Sequence, residues 1–284
     1  MKVLVIGANG LIGSTLMRTL NESNGLDVYG AVRDFRYTEF FEKNIATKIQ
    51  SGVDVEKMDS VIEIMGRVNP DVVINCAGIT KHKVLVENPL AFLPVNSIVP
   101  HKLAGLCKLI EARLIHISSD CVFSGNKGFY TEDDRPDSSD IYGKSKALGE
   151  VDYPHAITLR TSTIGHEIQT KFGLLDWFLS QHDSCLGYAK AFFSGMPTVV
   201  LAQIIRDIVI PRPDLAGLYH ISSDRVSKYD LLKLIAEAYD KKIDIFPDET
   251  FKIDRSLDSS RFNVATGYVA PKWPELIKIM HAFK

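Results

Sequence analysis

The most constraining feature of this sequence is a set of three glycines that follows an apolar run at the N-terminus. Gly7, Gly10 and Gly13 are separated by two residues each, and the apolar run Val3–Ile6 ends directly before them. Helical periodicity begins after the turn, so the pattern predicts a strand, a tight turn and a helix. Such a turn lets a pyrophosphate approach the backbone, and the helix N-terminus offers N–H groups and a positive dipole end. We therefore predict a dinucleotide site formed by Gly7, Asn9, Gly10, Leu11, Ile12 and Gly13.

Short apolar runs alternate with helical periodicity through the first 160 residues. The predicted strands are Val3–Ile6, Val28–Val32, Thr47–Ser51, Val72–Cys76, Leu114–Ser118 and Ile157–Arg160. The predicted helices are Leu11–Asn21, Lys57–Val68, Pro100–Glu111 and Ile141–Val151. Apolar strands separated by helices are typical of a parallel sheet covered on both faces. The sequence therefore predicts an α/β fold with a doubly wound parallel (Rossmann) sheet in residues 1–160.

The alternation of strands and helices becomes less regular in residues 161–284, which we interpret as a smaller, mostly helical substrate lobe. Some of its segments could return to the sheet domain. Its predicted helices are Thr198–Val209, Lys228–Tyr239 and Pro274–Phe283, and its predicted strands are Leu218–Ile221 and Ile243–Phe246. Between the two parts, residues 122–140 are rich in Gly, Asp and Ser and predict a long loop. Loops of that length in a compact domain are often functional.

Composition excludes several other classes of protein. The net charge is −2 with 33 basic and 35 acidic residues, which gives no basic footprint for nucleic acid. No run of eighteen apolar residues occurs, so we expect no membrane span. The four cysteines lack the spacing of a zinc site, so we expect no metal, free buried thiols and a cytoplasmic location.

Residues at the ends of the later strands extend the predicted dinucleotide site. Arg33 and Asp34 follow the second strand, where an acidic residue binds the ribose of NAD and an arginine accommodates the 2′-phosphate of NADP. Arg33 favours NADPH, with NADH possible. After the third and fourth strands we place further cofactor contacts at Asp54, Val55, Cys76, Ala77 and Gly78.

Tyr142 and Lys146 lie four residues apart, at the start of a predicted helix. That spacing is one helical turn, so both side chains face the same way. Carbonyl reduction needs a proton at oxygen as hydride arrives at carbon, and tyrosine with a pKa of about 10 can supply it. A neighbouring ammonium would lower the pKa of that phenol and could hold the nicotinamide ribose. Ser119 follows a buried strand, where it could orient the carbonyl, and Ser118 is expected to turn inwards.

These motifs together resemble the extended short-chain dehydrogenases and, within them, dTDP-4-dehydrorhamnose reductase and its relatives. The resemblance covers nearly the whole chain and is carried by residues 7–13, 70–78, 96, 114–150, 159–165 and 217–222. It implies Ser119, Tyr142 and Lys146 as the catalytic set, with serine where these reductases usually have threonine. Asn96 matches the family asparagine beside the active site, either as a cofactor contact or as a residue that positions a helix. Arg160 and Thr161 fall in the segment through which proteins of the family contact nicotinamide and substrate.

The resemblance also suggests the substrate and the places where this chain departs from the family. Cys121 and Thr163 stand where the reductases usually have tyrosine and tryptophan, and the late Arg-Pro pair is absent. The expected substrate is a nucleotide-activated 4-keto-6-deoxy sugar, either dTDP-4-dehydrorhamnose or a UDP-linked N-acetylhexosamine. Candidate substrate contacts in the lobe are Lys190, Phe193 and Arg261. Two chains could form a homodimer through a helical face of the sheet domain.

Two alternatives stay open. A nucleotide-sugar epimerase of the same fold needs the same tyrosine and lysine, whereas a 4,6-dehydratase would need a glutamate where Cys121 stands. A non-catalytic regulator is the other alternative, because the regulatory β subunit of methionine adenosyltransferase resembles the same branch. The intact Tyr142 and Lys146 pair argues against it.

Overall fold

The computed structural model describes residues 1–80, 88–168 and 172–283. Its strands, in chain order, are β1 (Lys2–Ile6), β2 (Asp27–Ala31), β3 (Ile49–Gln50), β4 (Val72–Asn75), β5 (Arg113–Ile117), β6 (Ala156–Arg160), β7 (Thr163–Ile164), β8 (Ser184–Phe193), β9 (Met196–Pro197), β10 (Gly217–His220), β11 (Val226–Ser227) and β12 (Asp244–Asp254). Its helices are α1 (Leu11–Asn21), α2 (Lys43–Ala46), α3 (Met58–Val68), α4 (Pro89–Leu93), α5 (Val99–Leu109), α6 (Ile141–Leu148), α7 (Leu174–Ser180), α8 (Thr198–Ile204), α9 (Lys228–Ala238), α10 (Ser260–Thr266) and α11 (Trp273–Ala282).

Seven strands form one parallel sheet in the order β10-β6-β5-β4-β1-β2-β3. The chain order reverses between β1 and β4, and open α/β sheets bind ligands at the carboxyl edge beside such a point. Buried side chains cover both faces of the sheet, with α1 and α8 on one face and α3 and α5 on the other. This architecture confirms the predicted doubly wound parallel sheet.

One helical stretch is longer than the sequence predicts. It runs from Pro89 to Leu109 through a π-helical segment at Pro94–Ile98, although the predicted helix began at Pro100. By length and composition alone this stretch could cross a membrane, although the sequence contains no run of eighteen apolar residues. Half of an 18-residue segment of this stretch is buried, and Val99, Leu103 and Cys107 pack in the core on one face of the sheet. Its apolar character is thus explained by its place in the core.

Residues beyond 160 contribute to both parts of the molecule. β10 pairs with β6 at the end of the main sheet, and α8 packs against α1. The remaining segments include a three-stranded sheet in the order β11-β8-β12, with α9 packed on it. The sequence did not predict β8, and it predicted only Ile243–Phe246 of the longer β12. Most other predicted elements lie within two residues of the observed ones, but β3 is shorter and α6 ends at Leu148, not Val151.

Candidate active site

The glycine turn has the close packing that its spacing predicts. Gly7 has a φ of 79°, a conformation that glycine adopts readily, and a Cβ there would lie 2.8 Å from the amide nitrogen of Ala77. A Cβ on Gly13 would lie only 2.2 Å from the carbonyl oxygen of Gly7. Gly10 is the N-cap of α1 and has only this oxygen within 4 Å of its Cβ position, at 3.4 Å. The backbone N–H groups in the first turn of α1 are therefore accessible to a ligand, as binding of a pyrophosphate requires.

The two charged residues after β2 have different surroundings. Asp34 forms an ion pair with Arg36 and caps the turn Phe35–Phe40 by accepting a hydrogen bond from the amide of Arg36 at 3.0 Å. The bonds from Arg36 hold the pKa of Asp34 below its usual range. Arg33 is exposed. A carboxylate committed to Arg36 is poorly placed to accept from a ribose, so the exposed Arg33 stays the predicted contact of the cofactor.

The other predicted cofactor residues line the same edge of the sheet. Cys76, Ala77 and Gly78 leave β4 with at least partial exposure, and Asp54 and Val55 are half-buried after β3. Asp54 accepts a hydrogen bond from the amide of Glu56 at 3.1 Å, within its own turn.

Asn96 is fully buried and its side-chain amide is committed to protein partners. Its oxygen accepts from the amide of Ile79 at 2.9 Å, and its nitrogen donates to the carbonyl of Ile79 at 3.0 Å and to Ser145 at 3.1 Å. Asn96 thus fastens the segment after β4 to α6. Of the two roles that the sequence left open, this geometry favours positioning over direct contact with a cofactor.

Ser119 and Tyr142 meet at the carboxyl edge of the sheet. Burial raises the pKa of Tyr142, and the nearby hydroxyl of Ser119 works against this shift. Ser119 also caps the short turn Asp120–Val122, where its hydroxyl accepts from the amide of Cys121 at 3.1 Å. The ring of Tyr142 contacts Phe92 edge-on at 6.2 Å. A hydroxyl and a phenol therefore converge where a carbonyl oxygen could accept from both.

Lys146 lies one helical turn further along α6 and is 6% exposed. Its Nζ donates to the carbonyl oxygen of Ile117 at 2.7 Å. Burial lowers the pKa of Lys146 to about 8, against the opposing charge of Glu150. The expected lowering of the Tyr142 pKa by Lys146 is wrong for this structure, because burial dominates and the pKa of the phenol rises.

A buried ion pair lies behind the catalytic candidates. Arg160 is 2% exposed and forms a bidentate pair with Glu150, with two N–O distances of 2.7 Å. Ser118 turns inwards and donates to Glu150 at 2.7 Å, and His220 lies 3.2 Å from the guanidinium. Burial and the charge of Arg160 lower the pKa of His220 to about 4, so this ring is neutral near pH 7. Arg160 therefore faces the interior and does not face a substrate.

The three predicted substrate contacts in the lobe are not brought together. Phe193 is 8% exposed and packs against Trp273 in the core, so its ring has little surface to offer a sugar. Lys190 is half-exposed on β8, 3.8 Å from Glu249. Arg261 forms an ion pair with Asp133 at 2.5 Å and lies 3.8 Å from Glu132.

The sequence did not indicate a role for Arg255, which reaches from the lobe to the carboxyl edge of the sheet, near Ser119 and Tyr142. Its guanidinium donates to the carbonyl of Phe123 at 2.8 Å and to the Sγ of Cys121 at 3.4 Å. It stands directly before Ser256 in the segment where the family motif is incomplete, and nothing local in the sequence distinguishes it from a surface arginine.

Two known proteins are similar to this chain in sequence. The chain is 30% identical over 260 residues to a dTDP-4-dehydrorhamnose reductase of Aggregatibacter actinomycetemcomitans, covering 85% of this chain and 81% of that protein. It is 37% identical over 169 residues to a probable low-salt glycan biosynthesis reductase of Haloferax volcanii, a match that spans 58% of this chain and 54% of that protein.

A solved structure gives the same fold over nearly the full length. The dTDP-4-dehydrorhamnose reductase of Bacillus anthracis, determined in complex with NADP, superposes with a TM-score of 0.81 at 22% identity and covers 99% of this chain and 98% of its own. The family described as RmlD substrate binding domain matches residues 1–263. The resemblance predicted from the motifs is confirmed, and the chain belongs to the RmlD substrate binding domain family.

Proposed function

We propose that this chain is a reductase that uses NADPH, or NADH in its place, to reduce the 4-keto group of a nucleotide-activated 6-deoxy sugar. The substrate is dTDP-4-dehydrorhamnose or a UDP-4-keto-6-deoxy-N-acetylhexosamine. The observation that carries the proposal is the convergence of Ser119 and Tyr142 at one edge of the sheet, with Lys146 buried beside them. This group lies at the same sheet edge as the glycine turn, so a carbonyl could meet both a proton donor and a cofactor.

The turn fits a dinucleotide because its glycines leave the backbone accessible where a side chain would otherwise lie. Gly10 is uncrowded at the start of α1, and Arg33 is exposed where the 2′-phosphate of NADPH would lie. A bound dihydronicotinamide supplies the hydride that the carbonyl carbon accepts.

Three side chains perform the rest of the reduction. Tyr142 gives its proton to the carbonyl oxygen, which becomes the new hydroxyl of the sugar. Burial raises the pKa of the phenol, so Tyr142 carries the proton that the reduction consumes. Ser119 turns its hydroxyl from Asp120 to the same oxygen and orients it, and Lys146 holds the nicotinamide ribose with its ammonium.

The experiment follows the loss of absorbance of NADPH and of NADH at 340 nm, with both nucleotide-sugar classes as substrates. We expect Tyr142→Phe to lower kcat by about 10²- to 10⁴-fold, the usual contribution of a positioned general acid. Tyr153→Phe is the matched control, because Tyr153 is exposed and hydrogen-bonded to His101 away from the site.

Other results would assign the chain differently. Inversion of a sugar centre without net consumption of NADPH would identify an epimerase. Cofactor binding without turnover of any tested 4-keto sugar would favour a non-catalytic regulatory subunit. Equal activity in Tyr142→Phe and the control would remove Tyr142 as the proton donor.

A further inference from the structure

Arg255 joins the C-terminal part of the chain to the catalytic edge of the sheet. It follows β12, and its side chain is 19% exposed. Its Nε donates to the carbonyl of Phe123 at 2.8 Å, and one terminal nitrogen donates to the Sγ of Cys121 at 3.4 Å. The other terminal nitrogen lies 3.9 Å from the carboxylate of Asp140. The planar fork of arginine thus contacts three acceptors at once.

These acceptors lie on two segments that carry the proposed catalytic groups. Cys121 and Phe123 belong to the turn that Ser119 caps. Asp140 caps α6 by accepting from the amide of Gly143 at 2.8 Å, and Tyr142 lies in that first turn. The two segments are in backbone contact, since a Cβ on Gly143 would lie 2.1 Å from the carbonyl oxygen of Cys121. Arg255 therefore spans the seam between them.

The charge of Arg255 also acts on a buried carboxylate beside the site. Asp120 is 8% exposed and accepts a hydrogen bond from Ser119 at 3.2 Å. Burial raises the pKa of Asp120, and the positive charge of Arg255 lowers it. Tyr142 on α6 and Cys121 on the same turn are the neighbouring titratable groups, and neither supplies a positive charge.

We propose that Arg255 is a positioning residue: it clamps the turn that carries Ser119 to the first turn of α6, and so fixes the hydroxyl against Tyr142. The inference rests on the proposed reductase function, because the clamp matters for the same proton transfer. Through this clamp a residue that follows β12 acts on chemistry at the sheet edge without contacting the reacting atoms.

The test compares Arg255→Met and Arg255→Lys with Arg212→Met, whose arginine forms an exposed pair with Asp214. We expect Arg255→Met to lower kcat by about 10- to 100-fold, as a misplacement near 1 Å can do, with an unchanged dissociation constant for NADPH. The pKa of Asp120 should rise in this variant, because Asp120 loses its compensating charge. On the acidic side of the profile, kcat/KM should therefore fall at a higher pH than in the wild type. Arg255→Lys keeps the charge without the fork, so we expect the wild-type pH profile with a reduced kcat.

Amide hydrogen exchange gives a readout that does not depend on turnover. In Arg255→Met we expect faster exchange in residues 119–123 and 140–146 and unchanged exchange in β1. Wild-type kcat, pH profile and exchange in Arg255→Met would overturn the inference. If the wild-type protein reduces no 4-keto sugar nucleotide, the proposed function fails and exchange alone decides whether the clamp exists. If Arg255→Met does not fold, a wild-type kcat in Arg255→Lys would overturn the clamp.

Discussion

At the scale of single residues, burial acts on Tyr142 and Lys146 in opposite directions. It disfavours the charged form of each, so it raises the pKa of the phenol and lowers the pKa of the amine to about 8. Near neutral pH the phenol therefore keeps the proton that a reduction consumes, while Lys146 is mostly an ammonium. As the pH rises through 8, Lys146 is the first of the two to lose its proton.

This order predicts the alkaline side of the pH profile. We expect kcat/KM of the wild type to fall with an apparent pKa near 8, because the neutral amine no longer holds the ribose. In Lys146→Arg the guanidinium stays charged, so the fall should move to higher pH even though the activity itself is lower. Initial rates measured between pH 6 and about 10, below the usual pKa of free lysine, would check this. A fall at the same pH in Lys146→Arg would assign the ionisation to another group.

The buried pair of Glu150 and Arg160 makes a prediction about stability. Glu150→Gln leaves Arg160 without its bidentate partner in a buried place, and breaking such a pair costs about 3–5 kcal/mol. Thermal unfolding should therefore occur at a clearly lower temperature. Glu63→Gln is the matched control, since Glu63 pairs with Arg67 on the exposed side of α3 and such a pair is worth about 0.3–0.5 kcal/mol. Equal melting temperatures for the two variants would contradict this account of the pair.

At the scale of elements, two glycines of the turn meet different requirements: Gly13 allows close packing, and Gly10 leaves room for the pyrophosphate. Gly13→Ala would place a Cβ 2.2 Å from the carbonyl oxygen of Gly7, so the start of α1 must move. We expect it to destabilise the protein by about 1–3 kcal/mol, as overpacking does. Gly10→Ala has its nearest contact at 3.4 Å, so we expect a nearly unchanged melting temperature but weaker NADPH binding, because the methyl group lies where the pyrophosphate approaches. Fluorescence titration and thermal unfolding would separate these effects, and loss of stability in Gly10→Ala alone would reverse the assignment.

The elements also show which parts of the molecule a sequence can predict. The turn at residues 7–13 and the pair Tyr142 and Lys146 have local signatures, because each depends on spacing within one or two helical turns. Arg255 has none, since its partners lie more than a hundred residues away. The strand β8 escaped prediction for a related reason. Its exposed face carries Leu186 and Tyr188 and its buried face carries Gly187, so apolar character does not follow burial, and its pairing with β12 lies far along the chain.

At the scale of the whole molecule, the C-terminal residues complete the core of the sheet. β10 covers the edge of β6, and α8 packs against α1, where the hydroxyl of Thr15 contacts that of Thr198 at 3.1 Å. One buried cluster contains side chains from both sides of residue 160. The catalytic edge is tied to the same C-terminal residues, because Tyr130 in the loop after β5 forms a bridge with Leu257 and its ring stacks on Phe123.

These contacts predict that residues 1–160 alone do not form a stable dinucleotide-binding unit. The fragment would expose the edge of β6 and the buried face of α1, and each large apolar side chain left in water forfeits about 1.5–3 kcal/mol. Removal of only a few such contacts exceeds the margin of a typical domain, which is about 5–15 kcal/mol. We expect the fragment to lack a cooperative thermal transition and to bind no NADPH, whereas the full chain shows both. Circular dichroism and fluorescence titration would test this, and a fragment that melts cooperatively and binds NADPH would mean that the sheet is stable without its seventh strand.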